Sequence, residues 1–200
     1  SEYNGVSLIL EDLWRDAEEL QFWTDASLDG YGACFNTPDG PQFFGGLWSD
    51  FGVDTSEMHI SELEMLAVGM AVHQWGQYLA QRRVLIRVDN EACVHTLASG
   101  RCRDPGMMVC MREMFFTMAK DSFLLRAKHI GTKDNVLADA ASRSEMDRFY
   151  AFGLSEFGWR KEDMTEVTPS LDVAALLRKM RSAAAAWTDP DGGDGVGGSA

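Results

Sequence analysis

The chain has 200 residues, 46% hydrophobic and 24% charged, which is room for one ordinary domain with extensions and unlike a disordered or fibrous composition. No stretch approaches eighteen consecutive apolar residues, which excludes a membrane-spanning helix, and the opening SEYNGVSLILEDLW lacks the basic and long apolar regions of a secretory signal. The net charge of −13 argues at first sight against a nucleic-acid partner, but it is unevenly spread, with six acids against one base in residues 1–20 and ten against six in residues 144–200.

Leu20–Thr24 is an apolar and aromatic run that ends at Asp25, and it reads as a buried strand. Gly30–Phe35 is a second strand, followed by the turn Thr37-Pro-Asp-Gly40 and a third strand over 41–48. In that turn proline presets φ and glycine accepts a positive one, so the three pieces predict an antiparallel meander. From Thr55 to Leu79 the period becomes helical, with Ile60, Leu63, Ala67, Met70, Ala71, Gln74 and Tyr78 three or four apart. Thr55 or Ser61 is the expected cap. Val84–Val88 is a short β-branched run, a buried central strand. Residues 90–99 predict a short helix closed by Gly100, and residues 105–120 another, with a methionine stripe expected to pack in the core. Residues 122–127 predict a last strand and 135–148 a last helix of the domain.

These elements predict an α/β fold: a mixed five-stranded sheet, three antiparallel strands and then two more, flanked by helices. The domain is expected over residues 20–148. Residues 1–19 read as an extension from an upstream region, 149–187 as a carboxy-terminal helical extension containing an Ala-rich amphipathic helix, and 188–200 as a flexible Gly/Asp-rich linker. The chain is thus expected to be cut from something longer. Cys34, Cys93, Cys102 and Cys110 show neither CxxC nor Cys/His ligand spacing. They predict reduced thiols of an intracellular protein, in cytoplasm or nucleus, rather than a zinc site or a disulfide framework.

Four acids fall where this topology joins strand ends to helix faces: Asp25, Glu64, Asp89 and Asp139. Converging carboxylates repel one another and raise each other's pKa unless cations neutralise them, and hard oxygen ligands select Mg²⁺ or Mn²⁺. Singly, each has a plainer reading: a turn or cap residue for Asp25, a solvated helix face for Glu64, a cap for Asp89, one helix charge among several for Asp139. If all four are ligands, residues 21–143, with fifteen acids against eleven bases, balance. The remaining acidity then belongs to the flanks, where it either serves a specific purpose or simply keeps the chain soluble.

FWTDASLDGYGACF, HISELEMLAVGMAV, VLIRVDNEACV and KHIGTKDNVLADAASR together resemble ribonuclease H. Glu64-Met-Leu-Ala67 fits the family form Glu-Leu-x-Ala better than Glu62 does. Glu62 and Glu64 stand about 200° apart on a helix, so only one of them faces a common centre. The resemblance implies a ribonuclease H-like fold in which Asp25, Glu64, Asp89 and Asp139 hold two Mg²⁺ ions, with Mn²⁺ as substitute. It implies that His129 carries a proton in cleavage of the RNA strand of an RNA–DNA hybrid. LWSDFGVDTSEMHISELEMLAV, VDNEA and ADAASR look closest to the ribonuclease H domains of DIRS-type retrotransposon reverse transcriptases, which implies a polymerase upstream and a recombinase downstream. The family's His-x-Pro-Gly is here His129-Ile-Gly131-Thr132, so the loop is expected to be looser, with glycine free to take unusual φ, and Asp134 adds an acid.

Phosphate and sugar contacts are expected from Ser27, Asn90, Arg101, Arg103, Arg112, Lys128, Thr132, Lys133 and Asn135, each of which is otherwise an ordinary surface or turn residue. With few bases between 90 and 120, the grip of the isolated chain on nucleic acid is expected to be weak. Three other readings stay open: a catalytically silent connector or binding domain in a polyprotein, an integrase or exonuclease of the same superfamily, and a binding module without chemistry.

Overall fold

A computed structural model describes residues 18–187. Residues 1–17 of the expected amino-terminal extension and the expected linker 188–200 lie outside the described residues. Strands β1 (Glu18–Ala26), β2 (Gly30–Thr37) and β3 (Gly40–Leu47) form the expected antiparallel meander. The β2–β3 turn is closed by Thr37, whose hydroxyl donates to Gly40 O at 2.8 Å, and Gly40 takes φ +119°. A Cβ there is strained, which is why the turn ends on glycine.

Helix α1 (Ile60–Leu79) carries the chain back across the sheet, so that β4 (Arg83–Val88) lies parallel to β1. Helices α2 (Glu91–Ser99) and α3 (Pro105–Asp121) make the next crossover, to β5 (Leu124–His129), parallel to β4. Two short helices, α4 (Val136–Ser142) and α5 (Met146–Phe157), cover the other face. A last strand, β6 (Thr165–Glu166), pairs parallel with β3, and α6 (Val173–Ala186) follows. The sheet order is β5-β4-β1-β2-β3-β6.

Strand alternation sorts the side chains onto two cores. Phe22, Phe35 and Phe44 point to the α1 side and surround Trp75, with ring centroids 5.4, 5.7 and 5.3 Å from it. Trp23, Cys34 and Phe43 point the other way, onto α4 and α5. Burying an aromatic of this size stabilises the fold by about 2–3 kcal/mol. Met107, Met111 and Met114 are buried, so the methionine stripe is core packing as expected. Val173, Leu176, Leu177 and Met180 of α6 recur at helical spacing and join the same core beside α3.

Three expectations need correction. The sheet has six strands, not five, because β6 is two exposed residues without apolar alternation and gives no strand signal. The helix expected over 135–148 is two helices, broken where Ser144 adopts φ +59°. Helix α1 starts at Ile60, capped by neither Thr55 nor Ser61: the His59 ring accepts from Ser61 N at 3.1 Å, and Glu62 accepts from His59 N at 2.8 Å. A histidine cap is invisible to rules built on Ser, Thr, Asp and Asn.

Helix α4 lies almost on the sheet backbone. A Cβ added to Gly32 would stand 2.5 Å from Ser142 N and 2.6 Å from Ala138 O, and one on Gly45 2.7 Å from Ala141 O. Glycine here sets how closely α4 docks. Gly32→Ala is therefore expected to lower stability by about 1–3 kcal/mol, as overpacking does. Gly131→Ala is the control, because Gly131 is extended at φ −71° and its nearest neighbour would be 3.4 Å away. Urea denaturation checks the pair, and an unperturbed Gly32→Ala midpoint would show that the contact yields cheaply.

Candidate metal centre

The carboxyl ends of β1 and β4 lie side by side, with Trp23 opposite Arg87. Two residues further along each chain come Asp25 and Asp89. The α1 cap settles which glutamate joins them. Glu62 is spent on His59 N, on the side of α1 that faces Gly106, while Glu64 points to the strand ends. One carboxylate oxygen from each of Asp25, Glu64 and Asp89 falls within 4.8 Å of the other two.

The charge of Arg143 lowers Asp25, but burial of the triplet outweighs it. Glu64 Oε2 and Asp89 Oδ1 are buried and have no hydrogen-bond partner. Such atoms are costly in a protein interior unless a ligand satisfies them. Burial, with the charges of Asp25 and Asp89 added, pushes the Glu64 carboxyl up to about 9. Burial also pushes Asp25 up to about 7, against the opposing hydrogen bond from Ser142. Asp89 is raised by burial as well, in spite of hydrogen bonds from Asn135 and Thr132. Hard oxygen donors, two of them orphaned and all on carboxyls raised by burial first and by neighbouring carboxylates second, fit a divalent cation such as Mg²⁺ or Mn²⁺.

Asp139 stands beside the triplet without being part of it. Its charge raises both Asp25 and Asp89, so it is electrostatically coupled to them. Its own oxygens are taken: Arg143 Nε donates to Oδ1 at 2.7 Å and Arg148 Nη1 to Oδ2 at 2.6 Å. Burial works to raise this carboxyl, but the hydrogen bonds and charges of the two arginines hold it below the usual range. Of the four acids expected to converge, the structure gathers three and gives the fourth to an ion-paired neighbour.

Two buried polar side chains brace the centre. Ser142 Oγ, in the α4 turn docked on Gly32, donates to Asp25 Oδ2 and lies 3.0 Å from the Asp139 carbonyl. Asn135 Nδ2 donates to Thr24 O at 2.9 Å, and the same amide hydrogen-bonds Asp89. Asn135 is fully buried, so the expected substrate contact is corrected: the side chain ties β1 to the loop ahead of α4 and orients Asp89.

His129 is exposed at the end of β5, opposite Val88, the residue before Asp89. Asn90 caps α2 by accepting from Cys93 N at 3.1 Å, and Ser27 closes the β1–β2 turn by accepting from Gly30 N at 2.9 Å. Both are half-exposed beside the acids. Thr132 and Lys133 form an exposed single turn after Gly131, and Lys128 is exposed on β5. Gly131 does not use its freedom of φ: a hydrogen bond from Asp134 N to its carbonyl at 2.8 Å orders the loop instead. Arg101 and Arg103 lie exposed between α2 and α3, and Arg112 is exposed on α3.

Sequence reasoning gave no role to Ser142, Arg143 or Arg148. Ser142 and Arg143 stand in the ADAASR segment and were legible as its ending; Arg148 reaches Asp139 only because the chain bends at Ser144, and no local pattern reports that.

A family model described as the RNase H-like domain found in reverse transcriptase matches residues 16–115, half of the chain. It spans Asp25, Glu64 and Asp89 and stops before His129 and Asp139. No curated protein matches. Among solved structures, RNase H1 from the halophilic archaeon Halobacterium salinarum is 14% identical, with a TM-score of 0.48 over 65% of this chain and 98% of its own. The N-terminal RNase H domain of a Mycobacterium tuberculosis protein, solved as a fusion with maltose-binding protein, is also 14% identical, with a TM-score of 0.46 over 64% of this chain and 92% of that one.

Proposed function

Since the chain belongs to the family of RNase H-like domains found in reverse transcriptase, we propose that it hydrolyses the RNA strand of RNA–DNA hybrids made by a covalently linked polymerase. The observation that carries this reading is the triplet Asp25, Glu64 and Asp89, with oxygens within 4.8 Å of one another and two of them orphaned. The triplet, joined by Asp139, would hold Mg²⁺ or Mn²⁺, two ions in the full reading. Bound there, divalent ions lower the pKa of an attacking water and neutralise charge on the leaving oxygen in phosphodiester hydrolysis.

The chain's own residues do the rest. Ser142 and Asn135 fix the Asp25 and Asp89 carboxylates from behind. His129, exposed at the rim, carries a proton to or from the cleaved strand. Ser27, Asn90 and Thr132 reach phosphate or 2′-hydroxyl groups of a hybrid lying over the strand ends, with Lys128, Lys133, Arg101, Arg103 and Arg112 further out along its backbone. The motifs around Glu64, Asp89 and Asp139 extend the proposal to a DIRS-type retrotransposon, with the polymerase upstream and a recombinase downstream. A silent connector is the second reading, and the arginine pair on Asp139 is the observation that favours it.

The test is incubation of the whole chain with a hybrid labelled on its RNA strand, in Mg²⁺, in Mn²⁺ and in EDTA, with duplex DNA alongside. Cleavage of the RNA strand alone, in either ion and not in EDTA, is expected. Intact RNA throughout points to the silent connector, and cleavage that survives EDTA removes the ions from the reading.

A further inference from the structure

We infer that Arg143 and Arg148 form a cationic latch on Asp139 that competes with a divalent ion for this carboxylate, so that the α4–α5 junction tunes the ion affinity of the centre. This rests on the reading of Asp25, Glu64 and Asp89 as an ion-binding triplet.

Three of the four acids of the region are in two opposite states, while Asp25 accepts from Ser142. Glu64 and Asp89 each keep a buried oxygen with no partner, whereas both oxygens of Asp139 already receive a guanidinium N–H. Arg143 meets Asp139 across one turn of helix, at i and i+4. Arg148 comes from α5, which the left-handed Ser144 folds back over the end of α4. Two cations thus face one carboxylate, and Glu145, 2.8 Å from Arg148 Nη1, offsets part of the surplus. Arginine does not lose its proton in any accessible pH range, so the competition persists under all working conditions. An ion that draws in Asp139 must separate it from both guanidiniums and then sit beside them. Their side chains are 54% and 46% exposed, so each pair contributes modestly and neither is needed for folding.

The experiment is a Mn²⁺ titration of the whole chain at constant ionic strength, read by electron paramagnetic resonance of the free ion and by the melting temperature. Removing both arginines, in R143Q/R148Q, is expected to tighten Mn²⁺ binding about tenfold, the sum of two half-exposed pairs. R148K keeps the charge and is expected to stay near wild type. R160Q/K161Q also removes two cations, from an exposed turn where Arg160 pairs with Asp163 and Glu162, and is expected to change nothing, which controls for net charge. Unchanged or weaker binding in R143Q/R148Q overturns the latch, weaker binding meaning that the arginines hold Asp139 ready for the ion. A folded wild-type chain that binds no Mn²⁺ overturns the ion centre itself and the latch with it.

Discussion

Glu64→Gln is expected to reduce cleavage of an RNA–DNA hybrid by at least about a hundredfold, while Glu62→Gln stays within about twofold of wild type. The two positions share a helix and a residue type, and both are buried. They differ in what they face. The Glu62 carboxylate accepts from His59 N, and a glutamine amide oxygen accepts the same hydrogen bond, so the α1 cap survives. Glu64 contributes a buried oxygen to the triplet, and Oε2 has no protein partner. Without ions its carboxyl is raised to about 9 and is therefore neutral at pH 7, so a neutral isostere costs the ion-free protein little. What glutamine removes is the charge a cation requires. Urea denaturation without divalent ions at pH 7 should accordingly give a midpoint for Glu64→Gln at or above that of wild type, because the wild-type glutamate takes up a proton on folding and glutamine does not, separating loss of chemistry from loss of fold. An active Glu64→Gln with an inactive Glu62→Gln would mean that α1 is turned by about half a circle, and the centre would have to be rebuilt around Glu62.

The meander, the crossover helices and the central strand were legible because each rests on a local signal: apolar alternation, a Pro-Asp-Gly turn, helical spacing from Ile60 to Tyr78. The strand–acid junctions at Asp25 and Asp89 were legible for the same reason, since a carboxylate that ends a buried run stands out. Beyond Ser142 the Ala-rich amphipathic helix, observed as α6, was legible too, but how the chain turns and pairs there was not. The left-handed Ser144, the return of Arg148 to Asp139 and the pairing of β6 with β3 depend on chain segments meeting in space. Asn135 shows the same limit from the other side. Its place in the closing motif suggested a substrate contact, but the close docking of α4 on Gly32 and Gly45 seals it beneath the surface. The glycines that permit this docking looked like ordinary strand residues. Only the backbone atoms they face, which belong to a helix more than ninety residues away, show why a side chain is excluded there.

A divalent ion is expected to raise the melting temperature of the wild-type chain by several degrees at pH 8 and hardly at all at pH 5. Burial raises Asp25 to about 7 and Glu64 to about 9, so the folded ion-free protein holds these protons more tightly than the unfolded chain does. Stability from this source is fully present below the ordinary carboxylate range near pH 4. It is lost progressively as pH rises, through about 7 for Asp25 and about 9 for Glu64. Asp139 has the opposite sign: its lowered pKa contributes stability above the ordinary carboxylate range that disappears only in acid, outside this window. A cation bound by the ionised triplet offsets the repulsion, and only where the carboxyls can ionise. Each 1 kcal/mol of such linkage is worth about 2–4 °C in a domain of this size. Screening of the chain's net charge of −13 would mimic part of the effect, so ionic strength is held constant with monovalent salt. The decisive comparison is Asp25→Asn/Asp89→Asn, which keeps Glu62, also raised by burial, and every remaining surface acid. Two lost ligands should abolish the divalent-specific shift and lessen the fall in stability between pH 5 and pH 8, leaving the part that burial of Glu64 still causes. Equal shifts in the two proteins would place the ions on general surface charge, and the orphaned oxygens of Glu64 and Asp89 would need another partner.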